Sequence, residues 1–213
     1  MKKIALIGAS GFVGSALLKE AVARGHSVTA IVRNPGKIAA ARGVSAVKAD
    51  VTDSAALAAL LKGHDVVVSA FNGGWGDPDI YANHMAGSKA IAAAAKAAGV
   101  RLIEIGGAGS LRTPDGSQLV DSPDFPAAYK DGARAARDAL KELQQGDWKE
   151  WAFVSPPITL APGERTGHYR LGDDNPLFDA KGESRISVED FAVAVLDEAE
   201  TPKHSGKRFT VGY

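Results

Sequence analysis

The sequence predicts an α/β fold: a doubly wound parallel sheet with helices on both faces, three layers in all. Two observations predict it. Short runs rich in Val and Ile alternate with longer Ala-rich runs of helical period. The strand-like runs are also apolar throughout, as strands read when both faces of a sheet are covered. A length of 213 residues suits one domain with a sizeable core.

"KIALIG" (3–8) is the first strand. Residues 12–24 follow as a helix, with Val13, Leu17 and Ala21 on one face and Gly25 placed to end it. "SVTAIV" (27–32) is the second strand, followed by a short helix over 35–41 and a strand over 44–49. A helix over 54–61 leads to the fourth strand, "DVVVSA" (65–70). Asp77 and Pro78 read as N-cap and first position of a helix that runs to Ala98. "VRLIEI" (100–105) is the fifth strand, 127–145 a helix, and "WAFVSP" (151–156) the sixth strand. Ser187 caps one more helix, with Asp190 completing an imperfect capping box, and "RFTVGY" adds a last strand. The chain thus reads as one domain, 1–213, with a small substrate-side region from about 156 to 213. Two irregular segments, 106–125 and 156–186, follow strand C-termini, the side on which open α/β sheets bind ligands.

Composition narrows the function. The 25 Lys+Arg balance 25 Asp+Glu, so no electrostatic case exists for nucleic acid or an anionic membrane. The absence of cysteine excludes disulfides, thiolate metal sites, iron–sulfur clusters and cysteine nucleophiles. The five histidines include no pair at helical i, i+4 spacing, so no histidine metal site is expected. No run approaches the roughly 18–20 apolar residues of a membrane span. The opening "MKKIALIGASGFVG" has two lysines before an apolar run, but glycines cut that run short and no A-x-A site follows. A soluble, cytoplasmic protein is expected.

The first strand-to-helix turn, "IGASGFVGS", places Gly8, Gly11 and Gly14 at G-x-x-G-x-x-G spacing. Glycines there permit a tight turn, a close backbone approach to a pyrophosphate and close helix-on-strand packing. The helix N-terminus supplies N–H groups and partial positive charge. In this context the pattern predicts a Rossmann-like dinucleotide site. The second strand ends "IVRNPGK", with Arg33 where an NAD site usually has an acid. A guanidinium matches a phosphate with two parallel hydrogen bonds. NADP(H) is therefore the preferred cofactor, its 2′-phosphate held by Arg33 with Asn34 or Lys37. NAD(H) stays possible, since the alternative for Arg33 is a solvated surface residue. Asp50 could accept from an adenine amino group or simply cap its loop. Ala70, Phe71 and Asn72 should pass beneath the adenosine ribose.

"KIALIGASGFVGS", "VTAIVRNPGK", "VKADVTD", "IEIGGAGSL", "SPDFPAAYK", "SPPITLAPGERTGHYRLG", "SRISVEDFAVAVLDE" and "RFTVGY" together span nearly the whole chain. They resemble the atypical short-chain dehydrogenase/reductases, the NAD(P)-binding, NmrA-like branch. More narrowly the chain looks like the provisionally named NADH-flavin reductases, and more distantly like biliverdin reductase B, a flavin reductase. "GGAGSL" and "PGERTG" are the more specific stretches. The resemblance implies NADPH along Gly8, Ser10, Gly11, Phe12, Val13, Arg33, Asp50, Val51 and Phe71. It also implies a nicotinamide flanked by Gly106, Gly107 and the Pro156-Pro157-Ile158 turn.

"YKDGA" (129–133) bears on the reaction. Tyrosine-dependent short-chain reductases use Tyr-x-x-x-Lys, whose lysine lowers the tyrosine pKa. Here Ala133 fills the lysine slot, and Lys130 lies about 100° around the helix. Tyr129 is a catalytic candidate, but it shares a face with Ala133, Ala136, Leu140 and Leu143, and the alternative is a core or pocket-wall residue. Ser110 is the other catalytic candidate, or else a turn residue. His84, on the helix after the fourth strand, either lines the same mouth or is an ordinary helix-surface histidine. Trp75, in the glycine-rich "NGGWGDP", is either a lid over an acceptor or a loop aromatic packed on its neighbours.

A ketone needs an acid for its alkoxide. A flavin or quinone spreads charge over conjugated rings and needs mainly proximity and stacking. The reading is an NADPH-dependent reductase of a free flavin or similar small planar acceptor such as a quinone, with flavin as substrate rather than prosthetic group. A non-catalytic NADP(H)-sensing regulator, which would need a protein partner, is the alternative. A nucleotide-sugar epimerase or dehydratase is the weakest reading, because it too needs the tyrosine–lysine pair.

Overall fold

The computed structural model describes residues 1–213. Its first six strands are β1 (Lys3–Ile7), β2 (Ser27–Val32), β3 (Val44–Lys48), β4 (Val66–Ser69), β5 (Arg101–Ile105) and β6 (Trp151–Ser155). Among them lie α1 (Phe12–Ala23), α2 (Ser54–Leu61), α3 (Ile80–Ala98) and α4 (Ala127–Gln145). Three short strands follow, β7 (Thr159–Ala161), β8 (Arg170–Gly172) and β9 (Arg185–Ser187), then α5 (Val188–Glu200) and β10 (Lys207–Gly212).

The main sheet runs β3-β2-β1-β4-β5-β6-β10-β8. Only the β10–β8 edge pairing is antiparallel, while β7 and β9 form a separate parallel pair. The chain moves outward from β1 to β3, then returns to lay β4 against the other side of β1. Ile7, the last residue of β1, is level with both Ile31 of β2 and Ser69 of β4. Their C-termini therefore open on one edge, with the order reversing between β1 and β4. Ligands of open α/β sheets bind in that crevice.

Alternation along each strand feeds two cores. Ile4 and Leu6 face α1 and α5, where they join Leu17, Phe191 and Val195. Ala5 and Ile7 face α2–α4, where they join Leu57, Ile91 and Leu140. Both faces are thus dry, which is why the strands read as continuous apolar runs. This is the doubly wound, Rossmann-like three-layer fold the sequence predicts.

The differences have local causes. The helix expected over 35–41 is only a 3-10 turn, Pro35–Lys37, in which the Asn34 side chain accepts from the Gly36 N–H at 3.1 Å. The helix expected from Pro78 starts at Ile80. The Asp77 carboxylate takes the Asp79 N–H at 2.8 Å, and so holds a tight turn before the first helical residue. Segment 106–125 contains two 3-10 turns, Ala108–Ser110 and Leu119–Asp121.

Ser187 caps α5 as expected, its Oγ accepting from the Asp190 N–H at 3.0 Å. The box is one-sided, however. The buried Asp190 carboxylate accepts instead from Thr166 Oγ1 (2.6 Å), the Gly167 N–H (2.7 Å) and the Tyr213 hydroxyl (2.7 Å). Burial opposes its charge, but these hydrogen bonds hold its pKa below the usual carboxylate range. Arg165, in the same loop, makes two 2.7 Å bonds to Glu20 of α1. The "PGERTG" stretch is thereby tied to both helices of one layer.

Candidate functional site: a dinucleotide crevice

Gly8 follows β1 with φ +76°, a conformation that favours glycine. A Cβ there would stand 2.6 Å from the Ala70 carbonyl oxygen and 3.4 Å from the Phe71 nitrogen. Gly8 thus lets the phosphate loop close against the chain leaving β4. A Cβ on Gly14 would stand 2.1 Å from the Gly8 oxygen, so α1 sits directly on the loop. Gly11 differs: a Cβ there would meet only the Gly8 oxygen, at an ordinary contact distance of 3.4 Å. Ser10, Gly11 and Phe12 are exposed, and Val13 is half-buried.

The N-terminus of α1 has no side-chain cap and no acid in its first turn. Its leading N–H groups and positive dipole end therefore face the crevice without a protein anion. That arrangement fits a pyrophosphate, and no acidic group opposes one.

The remaining predicted residues fall along the same edge. Arg33, Asn34 and Lys37 are exposed at the end of β2, although the Asn34 oxygen is committed to its own turn. Asp50 is exposed after β3, and its Oδ1 accepts from the Thr52 N–H (3.0 Å) and hydroxyl (2.7 Å). Those bonds, with a smaller contribution from the Arg33 charge, hold its carboxyl below the ordinary range. Asp50 therefore serves at least as a loop cap. Val51, Ala70, Phe71 and Asn72 are half-buried, with the Asn72 side chain accepting from the Gly74 N–H at 2.8 Å. Gly106 and Gly107 leave β5. A Cβ on Gly106 would fall 2.0 Å inside the Phe153 ring, whereas Gly107 is nearly free. Pro156 and buried Pro157 leave β6, followed by exposed Ile158.

A family model described as NAD(P)H-binding matches residues 8–199. The chain belongs to that NAD(P)H-binding family. It is 43% identical to the uncharacterized protein YwnB of Bacillus subtilis (strain 168), covering 98% of this chain and 97% of that one. Among solved structures, it is 46% identical to a Bacteroides thetaiotaomicron protein provisionally named an epimerase. That match has a TM-score of 0.91 and covers 100% of this chain and 97% of the other. It is 36% identical to a Streptococcus pneumoniae protein provisionally named an NADH-flavin reductase, with a TM-score of 0.85 and coverage of 100% and 99%.

Within this NAD(P)H-binding chain, the two catalytic candidates stand apart. Ser110 is only 2% exposed, and its hydroxyl accepts from Arg208 Nη1 at 3.3 Å. The buried guanidinium of Arg208 also meets Ser155 Oγ (3.4 Å) and Asp174. Ser110 is therefore part of the joint between β5, β6 and β10. Tyr129 is not a core residue: it is 55% exposed at the open end of its stripe, while Ala133, Ala136 and Leu140 are buried. Its ring meets Trp75 edge-on, with centroids 5.5 Å apart. Trp75 lies across Gly132, where a Cβ would come within 2.7 Å of its ring. The glycine-rich loop after β4 is thus latched onto α4, with Trp75 still 58% exposed.

The sequence reading also missed a buried pair. His84 is not on the helix surface. It is 4% exposed and stacks on Phe71, with centroids 5.8 Å apart and planes 19° apart. Burial pushes its pKa down to about 4, so the ring is neutral. Glu104, on the central strand β5, is 3% exposed, and burial pushes its pKa up to about 7. A lone acid inside the apolar run "VRLIEI" was the available signal.

Proposed function

We propose that the chain is an NADPH-dependent oxidoreductase that passes hydride to a free flavin or another small planar acceptor such as a quinone. The observation that carries the reading is the absence of an assembled acid. Tyr129 has buried Ala133, not lysine, one turn on, and the Ser110 hydroxyl is engaged by Arg208. A ketone reductase or epimerase would need that acid, whereas transfer between two flat rings needs chiefly alignment. The name of the Streptococcus pneumoniae relative agrees with this reading.

The bound nicotinamide would supply the hydride. The chain's own groups would hold it: N–H groups at the start of α1 on the pyrophosphate, Arg33 on the 2′-phosphate, and Gly107 with Pro156–Ile158 beside the ring. Trp75 would cover the acceptor.

Loss of NADPH absorbance on adding riboflavin or FMN, faster than with NADH, is the expected result. Tight NADPH binding without turnover across flavins and quinones would instead favour the NADP(H)-sensing regulator. Arg33→Ala should weaken NADPH about 10–100-fold, the worth of a bidentate charged contact, and leave NADH unchanged. Equal losses for both cofactors would remove the 2′-phosphate assignment. Trp75→Ala should raise the KM for the acceptor about tenfold, as loss of an aromatic contact does, without changing NADPH affinity. An unchanged KM would count against the lid.

A further inference from the structure

Arg208 is the only lysine or arginine of the chain that is buried. It lies on β10, level with Phe153 of β6, and its side chain reaches towards the end of that strand. Its Nη1 donates to Ser155 Oγ at 3.4 Å and to Ser110 Oγ at 3.3 Å. Ser155 is the last residue of β6 and immediately precedes the Pro156–Ile158 turn. Ser110 ends the 3-10 turn that follows Gly107. One guanidinium thus joins the two turns that, in the reading above, flank the nicotinamide.

The compensation of its charge is one-sided. Nε and Nη2 both donate to a single carboxylate oxygen, Asp174 Oδ1. The arginine side chain is 4% exposed and that of the aspartate 54%. Water screens the anion far more than the buried cation, and neutral hydroxyls supply the rest of the cation's partners. Such a buried charge pair does little for stability. Its consequence is a positive potential beneath both turns, because a guanidinium keeps its charge in proteins.

We infer that Arg208 sets which redox form of the cofactor the crevice prefers, favouring NADPH over NADP+. The inference rests on the nicotinamide placement in the reading above, and not on the identity of the acceptor. The oxidised nicotinamide ring carries a positive charge and the reduced ring carries none. A fixed cation beneath the ring therefore weakens NADP+ and spares NADPH. Spent cofactor leaves and reduced cofactor replaces it. Arg208 acts through its field and through the two serines, so it is a positioning residue rather than a catalytic one. It gives up no proton, and the crevice still holds no acid.

Calorimetric titration with NADPH and with NADP+ tests this without turnover, through the ratio of the two Kd values. Arg208→Met should shift the ratio about fivefold in favour of NADP+, the scale of one partly offset charge in a low-dielectric site. Arg208→Lys keeps the charge and should keep the ratio, even where a poorer fit weakens both forms. Asp174→Asn removes the counter-charge and should shift the ratio the other way. Lost packing alone would weaken both forms alike. 2′-Phospho-ADP-ribose, which has no nicotinamide, should bind the wild type and Asp174→Asn equally. If Arg208→Met does not fold, Arg208→Lys and Asp174→Asn still decide the sign. A ratio unchanged in Asp174→Asn, or one that falls in Arg208→Lys as far as in Arg208→Met, would overturn the inference. Flavin-dependent NADPH oxidation is read separately: its absence removes the proposed acceptor and leaves the ratio standing.

Discussion

Gly14→Ala is expected to destabilise the fold and abolish useful cofactor binding. Propensity alone points the other way. Position 14 lies within α1, where alanine is favoured over glycine by about 1 kcal/mol. Sterics decide the sign. The new methyl would stand 2.1 Å from the Gly8 oxygen, 2.8 Å from its carbonyl carbon and 2.9 Å from the Ala9 Cα. All three are backbone atoms, which cannot rotate aside as a side chain can. Overpacking against such neighbours costs about 3 kcal/mol, so a net loss of about 2 kcal/mol is expected in urea denaturation. Relief requires α1 to lift from the loop, which moves its N–H groups off the pyrophosphate. NADPH affinity should drop at least ~100-fold, or about 2.7 kcal/mol. Gly11→Ala separates the two effects. Its methyl would meet nothing closer than 3.4 Å, so the fold should keep its stability while cofactor binding weakens. Wild-type NADPH binding in Gly14→Ala would show that the loop does not hold the dinucleotide.

Glu104→Gln is expected to stabilise the protein strongly at pH 8 and much less at pH 5. In the folded state burial raises the Glu104 pKa from the ordinary 4.5 to about 7. The folded protein therefore holds this proton more tightly than the unfolded chain does. Below pH 4.5 both states are protonated and the residue carries no penalty. As pH rises from 4.5 to about 7 the unfolded chain loses its proton first, and folding becomes progressively less favourable. Above that the loss is constant, at about 3 kcal/mol for a shift of this size. Glutamine does not ionise and so escapes it. His84 acts in the opposite direction, its depressed pKa costing stability as pH falls from 6.5 towards 4. It is present in both proteins and cancels in their difference. Urea denaturation of the two proteins at pH 5 and pH 8 checks the prediction. A difference that does not grow with pH would show that Glu104 is not a desolvated acid.

The elements legible in the sequence were those with a repeating pattern or a steric requirement. β2 (Ser27–Val32), α2 (Ser54–Leu61) and α4 (Ala127–Gln145) fall where periodicity places them, because each buries a face long enough to repeat. β7, β8 and β9 were not legible, because three residues carry no period. The glycine loop was legible because only glycine tolerates φ +76° at Gly8 and the contact at Gly14. At Tyr129 on the α4 stripe the exposure removes only the core alternative, since periodicity gives a face but not where the neighbouring layer ends.

The sequence by itself determined the layer architecture and the glycine loop after the first strand, because these rest on local backbone geometry and the alternation of apolar residues, and its motifs carried the resemblance to the NAD(P)-binding family that the family match bears out. Tertiary structure decided which side chains meet across long separations. It buried His84 and Glu104, put Ser110 on Arg208, set Trp75 against Tyr129, and gave Asp190 its Thr166 and Tyr213 partners. Each of those contacts depends on how far one element extends over another, and no spacing within a single element encodes that.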